Sequence, residues 1–362
     1  MPPERAVRAP LVDCDVHVPT PTVGQLAPYL SEHWNEYIAV AGFTGTMATT
    51  STYPPGARTS GRARFGATLD DALRALRTDC LGDDPGTRAV VNCHYGVEAM
   101  GPPDFAVAMS AAVNDWLVHE CLSADDRLLG SVVVPPQYPE LAAAEIERMA
   151  GHERVVQVFL PARATHPYGN RNYYPILAAA ERHGLAVGVH FGGMTWTPPT
   201  PVGWPSYYLE EYVGMAHVMQ AQLSSLVLEG AFRRFPDLRV ALLEGGWTWL
   251  PQLMWRLDKE WRGIRREVPW VEEPPSAYVR RHVTMSVQPV DAPATGDQVM
   301  TIVDQIGSDD VLMYGTDFPH DHGCDPMALV DRLPPAAADK VRYGNATRCY
   351  RLAPLSPTSQ PN

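Results

Sequence analysis

The chain reads as an α/β protein folded into a (β/α)8, or TIM, barrel, and three observations predict it. Eight short apolar runs lie near residues 11–18, 88–94, 127–134, 155–160, 185–190, 238–243, 282–287 and 310–315. Their hydrophobicity is continuous rather than alternating, as in parallel strands buried on both faces. Helical patterns separate them, at 69–82, 104–123, 138–150, 173–183, 212–234, 249–263, 295–306 and 325–342. Finally, several runs carry polar, chemistry-bearing residues at their C-terminal ends and none at their N-terminal ends, the asymmetry of a barrel whose βα loops build the active site. An open doubly wound sheet is the competitor, but no glycine-rich phosphate fingerprint follows the first run.

Taken in order, the first run, Leu11-Val12-Asp13-Cys14-Asp15-Val16-His17-Val18, ends in a carboxylate and an imidazole two residues apart. Side chains on a strand alternate with period two, so Asp15 and His17 share a face and can reach one cation. Cys14 has the opposite phase and belongs to the core. The second run ends at Asn92-Cys93-His94, which directs His94 to the barrel mouth to touch substrate or to hydrogen-bond the loop. The fourth, Val155 to Leu160, contains no lysine and is followed by Arg163 and Arg171. An arginine fork is the natural partner of a substrate carboxylate. The fifth ends at His190, the sixth at Glu244 and the eighth at Asp317, with His320 and His322 just beyond.

Asp15, His17, His190 and Asp317 form an oxygen- and nitrogen-rich set that suits zinc, manganese or another first-row divalent ion. Each taken alone could be a satisfied core histidine or a helix-capping carboxylate; four at the C-terminal ends of predicted strands point to a metal site. The missing lysine on the fourth strand argues against a bridged two-metal centre and for a single ion. Glu244 is placed to exchange a proton with a cation-bound water or with substrate; its alternative role is a helix N-terminal carboxylate. His320 has two readings, substrate contact or a bond to a neighbouring carboxylate, and His322 is expected to be an exposed loop histidine. Two long loops, 42–68 and 191–211, should overhang the site. In the second, Trp196, Trp204, Tyr207 and Tyr208 could wall a pocket for a flat substrate or pack the loop down.

The bulk properties agree with an enzyme acting on small molecules. The 362 residues are 45% hydrophobic with a net charge of −12 and no basic stripe, which excludes a nucleic-acid partner. No window offers the roughly 18–20 continuous apolar residues of a membrane span. The opening Met1-Pro2-Pro3-Glu4-Arg5 lacks the sections of a secretion signal, so a cytoplasmic protein is expected. Six scattered cysteines without a CxxC pair imply neither a disulfide framework nor a thiolate zinc site. Residues 1–352 read as one domain and 353–362 as a disordered tail. The tryptophan-rich segment Trp247–Trp270 fits either a homodimer contact or the inner face of a barrel helix.

Several segments together resemble the amidohydrolase superfamily. They are Leu11 to His17, Val189-His190-Phe191-Gly192-Gly193 and Tyr314-Gly315-Thr316-Asp317-Phe318-Pro319-His320. More narrowly, and with Asn172 to Ile176 and Trp249 to Asp258, the chain resembles the amidohydrolase-related group that includes aminocarboxymuconate semialdehyde decarboxylase. The resemblance implies a distorted TIM barrel, one divalent cation on Asp15, His17, His190 and Asp317, a small carboxylate substrate and a homodimer. Two departures stand out. The first motif is D-x-H where many members have H-x-H, and the harder carboxylate shifts the expectation from zinc toward manganese or magnesium. Glu244 stands where the decarboxylase has a histidine. The reaction expected is non-oxidative decarboxylation of an aromatic or unsaturated acid, with Asp317 or Glu244 delivering the proton. The alternative is hydrolysis of an amide or lactone by cation-activated water, and a third reading is a non-catalytic binding barrel.

Overall fold

The computed structural model describes residues 10–46, 68–193 and 198–353. Eight parallel strands form one sheet in sequential order: β1 (Leu11–His17), β2 (Thr87–Asn92), β3 (Leu128–Val133), β4 (Val155–Pro161), β5 (Ala186–His190), β6 (Val240–Leu243), β7 (Val283–Ser286) and β8 (Leu312–Met313). The sheet curls until its edges meet. Cys14 N–H bonds Tyr314 O, Asp317 N–H bonds Asp15 O, and His17 N–H bonds Phe318 O. This is the barrel expected, with helices on its outer surface.

The strand faces sort the side chains. Odd positions of β2, such as Ala89 and Val91, pack outward against the helix Pro103–Trp116, while Val90 turns into the barrel beside Val12, Leu129 and Ala241. Two irregularities interrupt this alternation. Register shifts in β1 between Asp13 and Val16, and in β4 beside Val155, let neighbouring residues share the interior. That is why Cys14, expected to face away from Asp15, is fully buried with its sulfur close to the space beside Gly315 while Asp15 also points inward. Below, Ala346, Cys349 and Tyr350 close the barrel's N-terminal end.

Most of the longer helices fall where the pattern placed them, with exceptions. The stretch 325–342 is not one helix, because Pro334 and Pro335 end one segment and start the next: Pro326–Val330 and Pro335–Asp339. Pro275 likewise opens an unforeseen helix, Pro275–His282, and Glu32–Ala41 is another, capped by the Ser31 hydroxyl. No helix among the described residues is long and apolar enough to cross a membrane.

Candidate metal centre and its pocket

β1, β5 and the turn after β8 bring Asp15, His17, His190 and Asp317 to one point, with one ligand atom from each lying within 4.8 Å of all the others. All four are at least 96% buried. His17 Nε2 lies 2.7 Å from Asp317 Oδ1 and 3.5 Å from Asp15 Oδ1; His190 Nε2 lies 3.1 Å from that same Asp15 oxygen. The opposite ring nitrogens face backbone carbonyls: His17 Nδ1 lies 3.3 Å from Asn92 O, and His190 Nδ1 2.9 Å from Phe191 O. A ring that donates from Nδ1 presents a lone pair at Nε2, the tautomer a cation requires. Asp15 Oδ2 is buried with no hydrogen-bond partner. Orphaned carboxylate oxygen beside two inward-facing imidazole nitrogens is the chemistry of a divalent-cation site, and the residues fit one.

Two carboxylates reach this point through backbone that side chains rarely adopt. Glu244 has φ 54° and Asp317 has φ 56°, both in the left-handed region, at a cost of about 1–3 kcal/mol each. Such strain persists where surrounding bonds over-determine the conformation. Here Ser286 Oγ accepts the Glu244 N–H, and the Asp317 N–H is tied to β1. Glu244 Oε1 accepts the Tyr212 hydroxyl at 3.0 Å, while Oε2 has no hydrogen bond and lies 3.8 Å from His190 Nδ1.

The electrostatics separate the two acids. Burial, and then the proximity of Asp317 and Asp15, pushes the Glu244 carboxyl well above its usual range. Burial also pushes Asp317 up, but His320 and bonds from His17, His320 and His322 outweigh it and hold it well below the usual range. His190 is raised, the desolvation of its ring being outweighed by Asp15. Burial and the neighbouring His190 and His17 keep His94 well below its ordinary value, hence neutral.

A family model for amidohydrolase matches residues 12–352. The chain belongs to the amidohydrolase family. Among curated relatives of this chain is the gamma-resorcylate decarboxylase of Rhodococcus jostii, 24% identical over 280 residues, covering 71% of this chain and 80% of the relative. Among solved structures, the 5-carboxyvanillate decarboxylase of Sphingomonas paucimobilis superposes with a TM-score of 0.67 at 19% identity, covering 96% of this chain and 100% of the other. The corresponding enzyme of Novosphingobium aromaticivorans, complexed with manganese and 4-hydroxy-3-methoxy-5-nitrobenzoic acid, gives 0.66 at 18% identity, covering 94% and 96%.

The other expected site residues divide. His94 sits at the centre, its Nε2 3.0 Å from His190 Nδ1, so it meets another histidine rather than only the loop. His320 bonds the neighbouring carboxylate, with Nδ1 3.0 Å from Asp317 Oδ1, and also lines the cavity described below. Arg163 is 96% buried, 3.5 Å from Glu211 on the helix Tyr208–Leu228, and does not line the pocket described below. Arg171 is drawn to the outside, over the ring of Trp270 and 3.7 Å from Glu229. Trp196 lies outside the described residues. Trp204 and Tyr207 are exposed on the surface, and of that aromatic group Tyr208 borders the pocket.

Two residues of the site escaped the sequence reading. His322, expected to be an exposed loop histidine, folds back until Nε2 is 2.6 Å from Asp317 Oδ2 and Nδ1 is 2.8 Å from Tyr212 Oη. Tyr212 thereby links His322 to Glu244. These residues border a cavity of about 560 Å³ beside the centre, reached through Glu244 and also lined by Tyr208, Pro289, Asp291 and His320. A space of that size takes a single-ring substrate.

Proposed function

We propose that this protein is a metal-dependent carboxy-lyase that removes carbon dioxide, without oxidation, from an aromatic or unsaturated carboxylic acid. The observation that carries the reading is Glu244: a buried carboxyl group with one oxygen held by Tyr212 and the other unpartnered, facing the four-ligand cluster. Asp15, His17, His190 and Asp317 would hold one divalent cation. Two carboxylates among four donors favour manganese, with zinc or magnesium as lesser fits, and the Novosphingobium relative was solved with manganese. When bound, the cation supplies Lewis-acid binding for the substrate carboxylate and an adjacent oxygen.

The residues of the chain do the rest. Tyr208 and Tyr212 border the space for the ring, and His322 with Tyr212 fixes the Glu244 carboxyl. Because the Tyr212 hydroxyl donates to Oε1, the acidic proton belongs on Oε2, the oxygen that faces the centre. Glu244 gives that proton to the ring carbon bearing the carboxylate. The carbon–carbon bond then breaks, its electron pair restores the ring, carbon dioxide leaves, and Glu244 remains as a carboxylate to be reprotonated. Asp317 is the poorer donor, since three histidines keep it ionised. Arg163 lies 3.5 Å from Glu211 and Arg171 stacks over Trp270, and neither is assigned a part in this reading.

Hydrolysis by cation-activated water is the competing use of the same centre. Incubation of manganese-loaded protein with dihydroxybenzoates and aminobenzoates, and in parallel with their aryl amides and lactones, in deuterated, oxygen-18-labelled water separates the two. Release of carbon dioxide with deuterium at the vacated carbon is expected. Oxygen-18 from water in the product, with no carbon dioxide, would replace this reading by hydrolysis.

A further inference from the structure

Beneath the four ligand side chains a file of buried polar groups descends inside the barrel to its C-terminal plug. Asn92 Nδ2 donates to Asp15 Oδ1 at 2.7 Å. Asn92 Oδ1 accepts twice, from Ser131 Oγ at 2.6 Å and from Gln157 Nε2 at 3.0 Å. Gln157 Nε2 also donates to Ser131 Oγ at 2.9 Å, and its Oε1 accepts the Tyr350 hydroxyl at 3.1 Å. Asn92, Ser131 and Gln157 are at most 1% exposed, and Tyr350 is 3% exposed. Tyr350 follows the helix Asn345–Cys349 and packs with Val12, Leu129 and Ala186, at the end of the barrel opposite the cation ligands.

The file has one consistent polarity. A flipped Asn92 amide would set its oxygen against the Asp15 carboxylate and its NH2 against the Gln157 donor. A flipped Gln157 would set its oxygen against Asn92 Oδ1 and its NH2 against the Tyr350 hydroxyl. The acceptor-only Asp15 carboxylate orients the Asn92 amide, Asn92 Oδ1 orients Gln157, and the Tyr350 hydroxyl, donating to Gln157 Oε1, holds the far end of the file in place. Space has been kept for it too. A Cβ on Gly188 would stand 2.4 Å from Gln157 Cδ and 2.6 Å from both amide atoms, so only glycine there lets Gln157 lie across the barrel.

We propose that Tyr350, acting through Gln157 and Asn92, is a positioning residue for Asp15. It anchors Gln157, which holds Asn92 against Asp15 Oδ1, and so tunes cation affinity from the far end of the barrel. The proposal rests on the reading of Asp15 as a cation ligand. Groups that orient metal ligands typically carry about 10–100-fold in affinity; Asn92→Leu, which removes the direct donor, should lose an amount in that range. Tyr350→Phe, nearly isosteric and separated from Asp15 by Gln157 and Asn92, should lose about three- to tenfold, below the roughly 10–100-fold that direct partners carry.

The test is calorimetric titration of metal-free wild type, Tyr350→Phe and Asn92→Leu with Mn2+. It is accompanied by the visible spectrum of the Co2+-loaded forms and the melting temperature of the metal-free proteins. The expected result is weaker Mn2+ binding and a shifted cobalt spectrum in Tyr350→Phe, with its metal-free melting temperature within a few degrees of wild type. Wild-type affinity and an unchanged cobalt spectrum in Tyr350→Phe would overturn the proposal, whatever Asn92→Leu does. Absence of Mn2+ binding in the wild type would overturn the site itself, and the proposal with it.

Discussion

Replacing Glu244 with glutamine isolates the proton-transfer step. Glutamine has nearly the same shape, and its Oε1 can still accept the Tyr212 hydroxyl, so the surrounding hydrogen bonds survive. Its Nε2 then occupies the place of the unpartnered Oε2, 3.8 Å from His190 Nδ1. What is lost is an acid able to protonate carbon. A positioned general acid contributes roughly 10²–10⁴-fold, which corresponds to about 3–5 kcal/mol of activation free energy. Because Glu244 is not one of the four proposed ligands, Mn2+ affinity should move by less than a few-fold. The assay is single-turnover release of carbon dioxide from the best benzoate substrate, beside a Mn2+ titration of the same preparation. A turnover within threefold of wild type would refute the assignment of the proton to Glu244. A parallel loss of Mn2+ binding would instead make Glu244 a ligand.

Other predictions address separate parts of the fold. His282 is stacked on Phe232, with Nδ1 2.8 Å from Leu238 O, and burial depresses its pKa below the ordinary 6.5. The unfolded chain takes up a proton near pH 6.5 that the folded one refuses. Stability should therefore be full above 6.5 and decline as pH falls through the depressed folded value; chemical denaturation of His282→Asn between pH 5 and 7 should show a shallower decline. Gly188→Ala drives a methyl group into Gln157 and should cost about 1–3 kcal/mol by overpacking, seen as a lower urea midpoint; an unchanged midpoint would show that the amide has room to move. Chelation followed by dialysis should abolish turnover and lower the melting temperature, with Mn2+ restoring both.

How much of this was legible in the sequence follows from which interactions are local. The strands were readable because burial on both faces writes a continuous apolar run, and Val155 to Leu160 or Val240 to Leu243 needs no knowledge of its neighbours. β8 was harder: only Leu312 and Met313 pair with β7, and the following backbone turns instead to β1 and to Val341. Asp15, His17, His190 and Asp317 were accessible because each closes such a run. His322 was not, since its approach to Asp317 depends on a loop reversal begun by the His320 N–H bonding Asp317 O, which no periodicity records. Tyr212 was hidden by placing the helix start at that residue. The helix begins at Tyr208, which puts Tyr212 one turn inside, beside Tyr208 over the pocket. Arg163 shows the same dependence on distant chain, for Glu211, 3.5 Å from it, lies 48 positions away in a helix whose facing could not be foreseen.

The central claim is that four side chains from β1, β5 and the turn after β8 form one cation site on which the chemistry depends. Equilibrium dialysis of metal-free protein against Mn2+, with wild type, Asp15→Ala and His190→Ala side by side, tests it most directly. The account predicts one ion per chain in the wild type and loss of stoichiometric binding in both variants, each still folded by circular dichroism. Stoichiometric Mn2+ in either variant would contradict it.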